Sequence, residues 1–186
     1  MAIAHRVEDY LVQHGVQYDV VAHPYSHNSM ETAERAHVSG DRLAKSVILE
    51  DDGGGFVMAV LPCTRHVRLG RLSQEMNRRL RLATEESVSR LFIDCERGAV
   101  PPLGLAYGMQ TIMDDSLAEQ SEIYFEAGDH ERLIHMSREQ FMMLMGHARH
   151  AHFGHYGRTA SHARSTITCA SLRPRPKACN AQTHRH

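Results

Sequence analysis

Leu43-Ala44-Lys45-Ser46-Val47-Ile48-Leu49-Glu50 is followed by Asp51-Asp52-Gly53-Gly54-Gly55 and then by Phe56-Val57-Met58-Ala59-Val60-Leu61-Pro62. Two aliphatic, β-branched runs flank five turn-forming residues, a pattern that predicts an antiparallel hairpin with strands over 43–50 and 56–61. Pro62 carries no backbone donor and ends the second strand. Period-two alternation puts Leu43, Lys45, Val47 and Leu49 on one face, so a lysine stands among aliphatic side chains. It is one of only two lysines in the chain, against 19 arginines; the other is Lys177.

Upstream of the hairpin, Ile3, Val7, Tyr10 and Leu11 recur at helical spacing and stop at Gly15, predicting an N-terminal helix. An extended segment over 17–22 follows, then a short helix over 29–38 with Ser29 as cap and Gly40 as stop. Downstream, the pattern predicts helices over 69–76 and 85–92, the second capped by Thr84, around an extended piece at 80–83. Gly98-Ala99-Val100-Pro101-Pro102-Leu103-Gly104 is a shaped loop, because two prolines remove donors and two glycines permit unusual dihedrals. Strands are predicted at 111–113, 122–125 and 133–136, and Ser137-Arg138-Glu139-Gln140 has the capping-box spacing of a last helix through Met145. Helices and strands mix without regular βαβ alternation. The expected fold class is therefore α+β, one compact domain with a mixed, largely antiparallel sheet and flanking short helices.

The chain has 186 residues, with 21 Lys+Arg against 22 Asp+Glu and 42% hydrophobic residues, the composition of one globular domain. The charge is uneven: residues 147–186 hold seven basic residues and no acid, leaving a body over 1–146 with net charge −8. Past Gly146 the apolar periodicity stops and Ser, Thr, Arg, His and Pro dominate. The expected organisation is a domain over 1–146 and a basic, His-rich tail over 147–186, disordered from about residue 150. Three readings of that tail stand: contact with nucleic-acid phosphates, an extension without function, and metal capture, for which its histidine spacing offers no common face. No run of 18 apolar residues and no signal-peptide order is present, so the chain reads as cytosolic. Cys63, Cys95, Cys169 and Cys179 show no C-x-x-C spacing and read as reduced thiols.

Three features carry candidate chemistry. Lys45 is either a partly desolvated ammonium that receives a ligand or a snorkelling lysine protecting a sheet edge. The 98–104 loop either presents backbone N–H groups to an oxyanion or water, or is a rigid turn. His130, in Ala127-Gly128-Asp129-His130, either does acid–base work at a sheet end or is one of 15 histidines with no special role. Asp94 and Glu96 flank Cys95 and should raise its thiol pKa, which argues against a nucleophile. Arg65, Arg68, Arg71, Arg78, Arg79 and Arg81 form the densest basic region of the body, either a phosphate track or a solvated face.

Together, His23-Pro24, Thr32-Ala33, Ala44-Lys45-Ser46-Val47-Ile48-Leu49, Val60-Leu61-Pro62, Asp94-Cys95-Glu96, the 98–104 loop and Ala127-Gly128 before His130 resemble the YbaK/ProX family of aminoacyl-tRNA deacylases, which includes the editing domain of bacterial prolyl-tRNA synthetases. The resemblance covers about residues 1–146. It implies trans-editing hydrolysis of the ester of a mischarged tRNA carrying a small amino acid such as Ala, Cys or Ser, with tRNA-Pro among the candidate tRNAs. It implies no metal and no other cofactor. The partners it implies are the mischarged tRNA and a tRNA synthetase, not a membrane. It carries the family's essential strand lysine onto Lys45 and its Gly-x-x-x-Pro loop onto Gly98 and Pro102 as catalytic residues. Ala99, Val100, Pro101, His130, Thr32 and His23 follow as substrate-binding residues. The alternative is a non-catalytic module of the same fold that binds aminoacyl-adenosine-like ligands or a protein.

Overall fold

The computed structural model describes residues 3–157. Helices are α1 (His5–His14), α2 (Ser29–Arg35), α3 (Leu69–Met76), α4 (Glu85–Leu91) and α5 (Arg138–Met145). Strands are β1 (Asp19–Ala22), β2 (Leu43–Asp51), β3 (Phe56–Pro62), β4 (Arg65–Val67), β5 (Leu80–Leu82), β6 (Gln110–Asp114), β7 (Glu122–Glu126), β8 (Arg132–Ser137), β9 (Arg149–Ala151) and β10 (Gly154–Tyr156). The hairpin forms as the sequence predicts, with β2 and β3 antiparallel from Ala44 opposite Pro62 to Glu50 opposite Phe56. Its turn is closed by the Asp51 carboxylate, which accepts from the Gly53 N–H at 2.9 Å and the Gly55 N–H at 2.8 Å.

The main sheet runs β1-β8-β7-β2-β3-β6-β9, with β5 added on β2. Pairing is antiparallel except at β2–β7, β3–β6 and β6–β9. The hairpin is therefore central in the strand order, and β2 is not an edge strand of the sheet. One face of the hairpin, including Ala44, Ile48, Met58 and Val60, packs with Val7 and Leu11 of α1 and Phe141 and Leu144 of α5. On the opposite face Leu49, Val57, Ala59 and Leu61 meet Leu72 and Met76 of α3, while Leu43 and Cys63 meet Ala33 of α2. Each fully buried aliphatic side chain contributes about 1.5–3 kcal/mol, so two-sided burial dominates the hairpin's stability.

The structure shifts three sequence expectations. Asn28, not Ser29, caps α2, its side chain accepting from the Met30 and Glu31 N–H groups. The helix ends at Arg35 rather than near Val38, and His37 turns to a φ of 55°. The third shift concerns the expected tail, which is ordered through its first residues: β9 pairs with β6, β10 pairs with β4, and Phe153 is fully buried beside Leu72 and Ile112. The packed domain thus runs past Gly146 and through Tyr156. These strands have three residues each, too short for periodicity to reveal. Residues 158–186, where the remainder of the tail expectations fall, lie outside the described residues.

The clamp on that segment is Asp114, fully buried at the end of β6. Its Oδ2 accepts from the Phe153 N–H at 2.9 Å and the Gly154 N–H at 2.6 Å, and Ser116 donates to its Oδ1. Arg65 lies 3.9 Å away. Burial alone would raise this carboxyl's pKa, but the hydrogen bonds from Ser116, Gly154 and Phe153 outweigh it and hold the pKa below the ordinary value. The stabilisation is full above the unfolded-state pKa of about 4 and disappears as pH falls through the lower folded-state value. Asp114→Asn should cost about 3 kcal/mol in urea unfolding at pH 7, and the difference from wild type should shrink in acid.

Candidate functional site

Along β2 the side away from β3 is shared by two partners. Leu43 and Ala44 pair with Tyr124 and Phe125 of β7, whereas Leu49, Glu50 and Asp51 pair with Leu82, Arg81 and Leu80 of β5. Between them, residues 45–47 have no strand neighbour on that side among the described residues. The loop after α4 covers this break: Ser46 Oγ donates to the Val100 carbonyl at 2.8 Å. A cleft of about 230 Å³ remains, lined by Ser46, Val47, Leu82, Val88, Gly98 and Val100 among others. Gly98 and Val100 also wall a second cleft of about 180 Å³ on the loop's other side, towards Phe92 and Cys95.

Lys45 stands at the start of the break. Its Nζ donates to the Cys63 carbonyl at 3.1 Å, and it lies opposite Leu61 in the hairpin. Burial lowers its pKa, since desolvation disfavours the ammonium. Lys45 lines neither cleft, its ammonium being turned along the sheet face towards the end of β3. It adjoins the break without facing the Gly98 side of it.

The loop itself is pinned from behind. Gly98 adopts a φ of +93°, a conformation side chains resist, and an added Cβ would touch the His130 ring at 3.5 Å. The Ala99 N–H donates to the Glu96 carbonyl at 3.1 Å, and the Glu96 N–H donates to the Gly128 carbonyl at 2.8 Å. Ala99, Pro101 and Pro102 are buried, so the two prolines act as a stiff foundation while Gly98 and Val100 form the accessible surface. His130 is also buried, and its Nε2–H donates to the Arg97 carbonyl at 2.9 Å. This bond fixes the tautomer and ties the histidine to the loop immediately before Gly98.

Behind His130 runs a buried polar chain. Ser26 N–H donates to the His130 carbonyl at 3.2 Å, Ser26 Oγ and Thr32 Oγ1 are 2.7 Å apart, and Thr32 Oγ1 donates to Glu126 Oε1 at 2.9 Å. Thr32 therefore binds the frame of the site rather than lining either cleft. His23 is buried next to this chain, its backbone N–H on the Glu131 carbonyl at 2.9 Å and its Nδ1–H on the Pro24 carbonyl at 2.8 Å. Its Nε2 has no partner among the described residues.

Sequence reasoning missed Glu126. In Glu122-Ile123-Tyr124-Phe125-Glu126 it reads as a polar strand end; only its place on the same alternation as Tyr124, directly before the Ala127-Gly128 turn, signalled that it points inward. Burial pushes its carboxyl up to about 7, with Asp129 adding to the rise and the Thr32 hydroxyl opposing it. Oε2 is buried without a partner among the described residues. The Cys95 thiol is raised to about 11, with burial the leading cause and Asp94 adding to it.

Because its folded-state pKa is raised, Glu126 stabilises the fold in its neutral form, and that contribution is lost as pH rises from the ordinary carboxyl range through about 7. Glu126→Gln should match wild type in thermal melts at pH 5 and melt several degrees higher than wild type at pH 8.

Residues 23–144 match the family model described as the aminoacyl-tRNA editing domain. No curated protein matches the chain by sequence. Among solved structures, one described as a candidate trans-editing enzyme for prolyl-tRNA synthetase superposes with a TM-score of 0.71 at 23% identity, covering 82% of this chain and 96% of the other. A hypothetical protein gives 0.73 at 22% identity over 81% of this chain and all of its own. A candidate signal transduction protein from Marinobacter aquaeolei VT8 gives 0.67 at 19% identity, over 80% of this chain and 30% of its own. At these identities the structural matches speak for the fold. No helix among the described residues is long and apolar enough to cross a membrane.

Proposed function

Because the chain belongs to the aminoacyl-tRNA editing domain family, we propose that it is a free-standing deacylase that hydrolyses the ester between a small amino acid and the 3′ end of a mischarged tRNA. The observation that carries this reading is the break in β2 pairing, covered by the 98–100 loop and adjoined by Lys45, the one ammonium side chain of the described residues. Editing is needed where binding alone discriminates poorly, since a methylene in a pocket is worth only about 1–3 kcal/mol.

Water attacks the ester carbonyl, the bond to the ribose oxygen breaks, and the amino acid and a free tRNA hydroxyl leave. The carbonyl oxygen gains negative charge on the way and needs donors preorganised for it. Ala99 is spoken for by Glu96, and Pro101 and Pro102 have no N–H. Gly98 and Val100 remain, as their N–H groups make no hydrogen bond within the described residues and both line the cleft. Pro102 keeps its place in the catalytic loop as the rigid foundation. Lys45 swings from the Cys63 carbonyl to the terminal ribose or its phosphate, supplying charge and orientation rather than a covalent bond. His130, Thr32 and His23 act from behind the loop by positioning it.

The cleft, open to solvent and about 230 Å³, has apolar walls at Val47, Leu82, Val88 and Val100 and polar groups at Ser46 and Glu85, a size that suits side chains such as alanine, serine or cysteine. The likeness to a candidate trans-editing enzyme for prolyl-tRNA synthetase makes tRNA-Pro the first tRNA to test and that synthetase the first partner. Across a panel of mischarged tRNAs, hydrolysis of Ala, Ser or Cys esters should exceed that of Phe or Tyr esters at least a hundredfold; preference for an aromatic ester contradicts the small cleft. Lys45→Ala should lower kcat/KM at least a hundredfold with the circular dichroism spectrum unchanged. Tight binding of an aminoacyl-adenosine analogue with no turnover on any ester would instead favour the non-catalytic binding module.

A further inference from the structure

The six arginines of the basic region divide into two classes. Arg65, Arg78 and Arg81 are committed to carboxylates, facing Asp114, Asp51 and Glu50 at 3.9, 3.0 and 3.1 Å. Arg68, Arg71 and Arg79 are exposed and make no ion pair with any carboxylate of the described residues. Arg68 precedes α3 and Arg71 lies in its first turn, so their side chains emerge close together, at i and i+3.

The segment past Gly146 brings an aromatic group to the same place. β10 pairs with β4 so that Tyr156 stands opposite Arg65 and His155 opposite His66, and the Arg68 N–H donates to the Phe153 carbonyl at 3.0 Å. The Arg65 guanidinium lies 4.8 Å from the centre of the Tyr156 ring, which nevertheless remains 59% exposed. An exposed aromatic ring on a ribbon that also leads to two unpaired arginines is the composition of a surface that stacks a base and neutralises phosphates. It is also close to Lys45 in the chain: the carbonyl that accepts from Lys45 belongs to Cys63, and Arg65 follows two residues later, past the turn at Cys63-Thr64. Beyond Gly157 the sequence continues with six basic residues and no acid, so the charge next to β10 in the chain has the same sign.

We propose that the β4–β10 ribbon and the start of α3 form the RNA-docking surface of this protein, with Arg68 and Arg71 on backbone phosphates and Tyr156 stacked on an unpaired base near the 3′ end. The inference rests on the deacylase reading for its choice of RNA, and it adds where the acceptor end lies on this chain. β10, and with it Tyr156, is outside the stretch that matches the family, whereas β4, Arg68 and Arg71 lie within it.

The probe is an uncharged RNA hairpin that reproduces the acceptor stem of tRNA-Pro and its single-stranded 3′ end, titrated against the full chain by fluorescence anisotropy at several salt concentrations. Arg68→Ala/Arg71→Ala should weaken binding at least tenfold at low salt and reduce the slope of log Kd against log salt by about 1.5 to 2. The control Arg90→Ala/Arg138→Ala removes the same charge from exposed sites elsewhere and should change the slope little. Tyr156→Ala should weaken binding at least fivefold with the salt slope intact, while Tyr156→Phe should bind as wild type. The proposal is overturned if the Arg68/Arg71 variant behaves like the control, if Tyr156→Ala binds as wild type, or if the wild type does not bind the hairpin, which would leave this face to an acidic protein. Hydrolysis of a short aminoacyl-nucleotide ester, followed in parallel, separates the two readings: its absence from the wild type refutes the deacylase assignment, whereas normal hydrolysis with unaltered hairpin binding in the variants refutes only the surface.

Discussion

The candidate site depends on an incomplete partnership in the middle of the sheet. β2 is held along one side by β3, and on the other side by β7 at one end and β5 at the other, leaving residues 45–47 without a strand neighbour on that second side among the described residues. An unpaired stretch of central strand would ordinarily be a defect, because buried backbone groups need partners. Here burial of the hairpin on both faces holds the strand in place regardless, with Ile48 and Leu49 packed in different clusters on opposite sides of the sheet. The opening is thus rigid, and rigidity is what a site needs if its donors are to be in place before a substrate arrives.

The loop over the opening is held by groups that never reach it. Arg97 is tied by the His130 ring, Glu96 by the Gly128 carbonyl, and His130 in turn by Ser26 and through it by Thr32 and Glu126. This chain links α2, the end of β7 and the loop into one hydrogen-bonded unit. Its weak point is electrostatic: ionised Glu126 has one oxygen with no donor among the described residues, so the network is most comfortable with the carboxyl neutral. Lys45 contributes the opposite charge at the end of the opening where β2 leaves β7, and its tether to a single carbonyl leaves it free to trade that partner for an anionic one.

Much of this was legible in the sequence because the relevant signals are local. The Asp51-to-Gly55 spacer fixed the hairpin register, Thr84 and Ser137 cap the helices that their spacing announced, and the scarcity of lysine singled out Lys45. What was hidden is set by pairings distant in sequence. That β2 is central follows from β7 arriving beside it, and nothing near residue 45 reports this. Glu126 is polar in an alternating strand and becomes buried only because Thr32 meets it from a helix 94 residues earlier. β9 and β10 exist because Asp114 captures the Phe153 and Gly154 N–H groups, a long-range interaction that a three-residue strand cannot advertise.

The central claim is that the opening beside residues 45–47 receives the aminoacyl ester, with the Gly98 and Val100 N–H groups on its carbonyl oxygen. The most direct test is amide NMR of the ¹⁵N-labelled protein titrated with a non-hydrolysable alanyl-adenosine analogue in which an amide replaces the ester. The account predicts saturable shifts of the Gly98, Val100 and Ser46 amides, with Ala99 less affected because its N–H is already bonded to Glu96. Saturable binding that leaves Gly98 and Val100 unmoved and shifts residues elsewhere would contradict it.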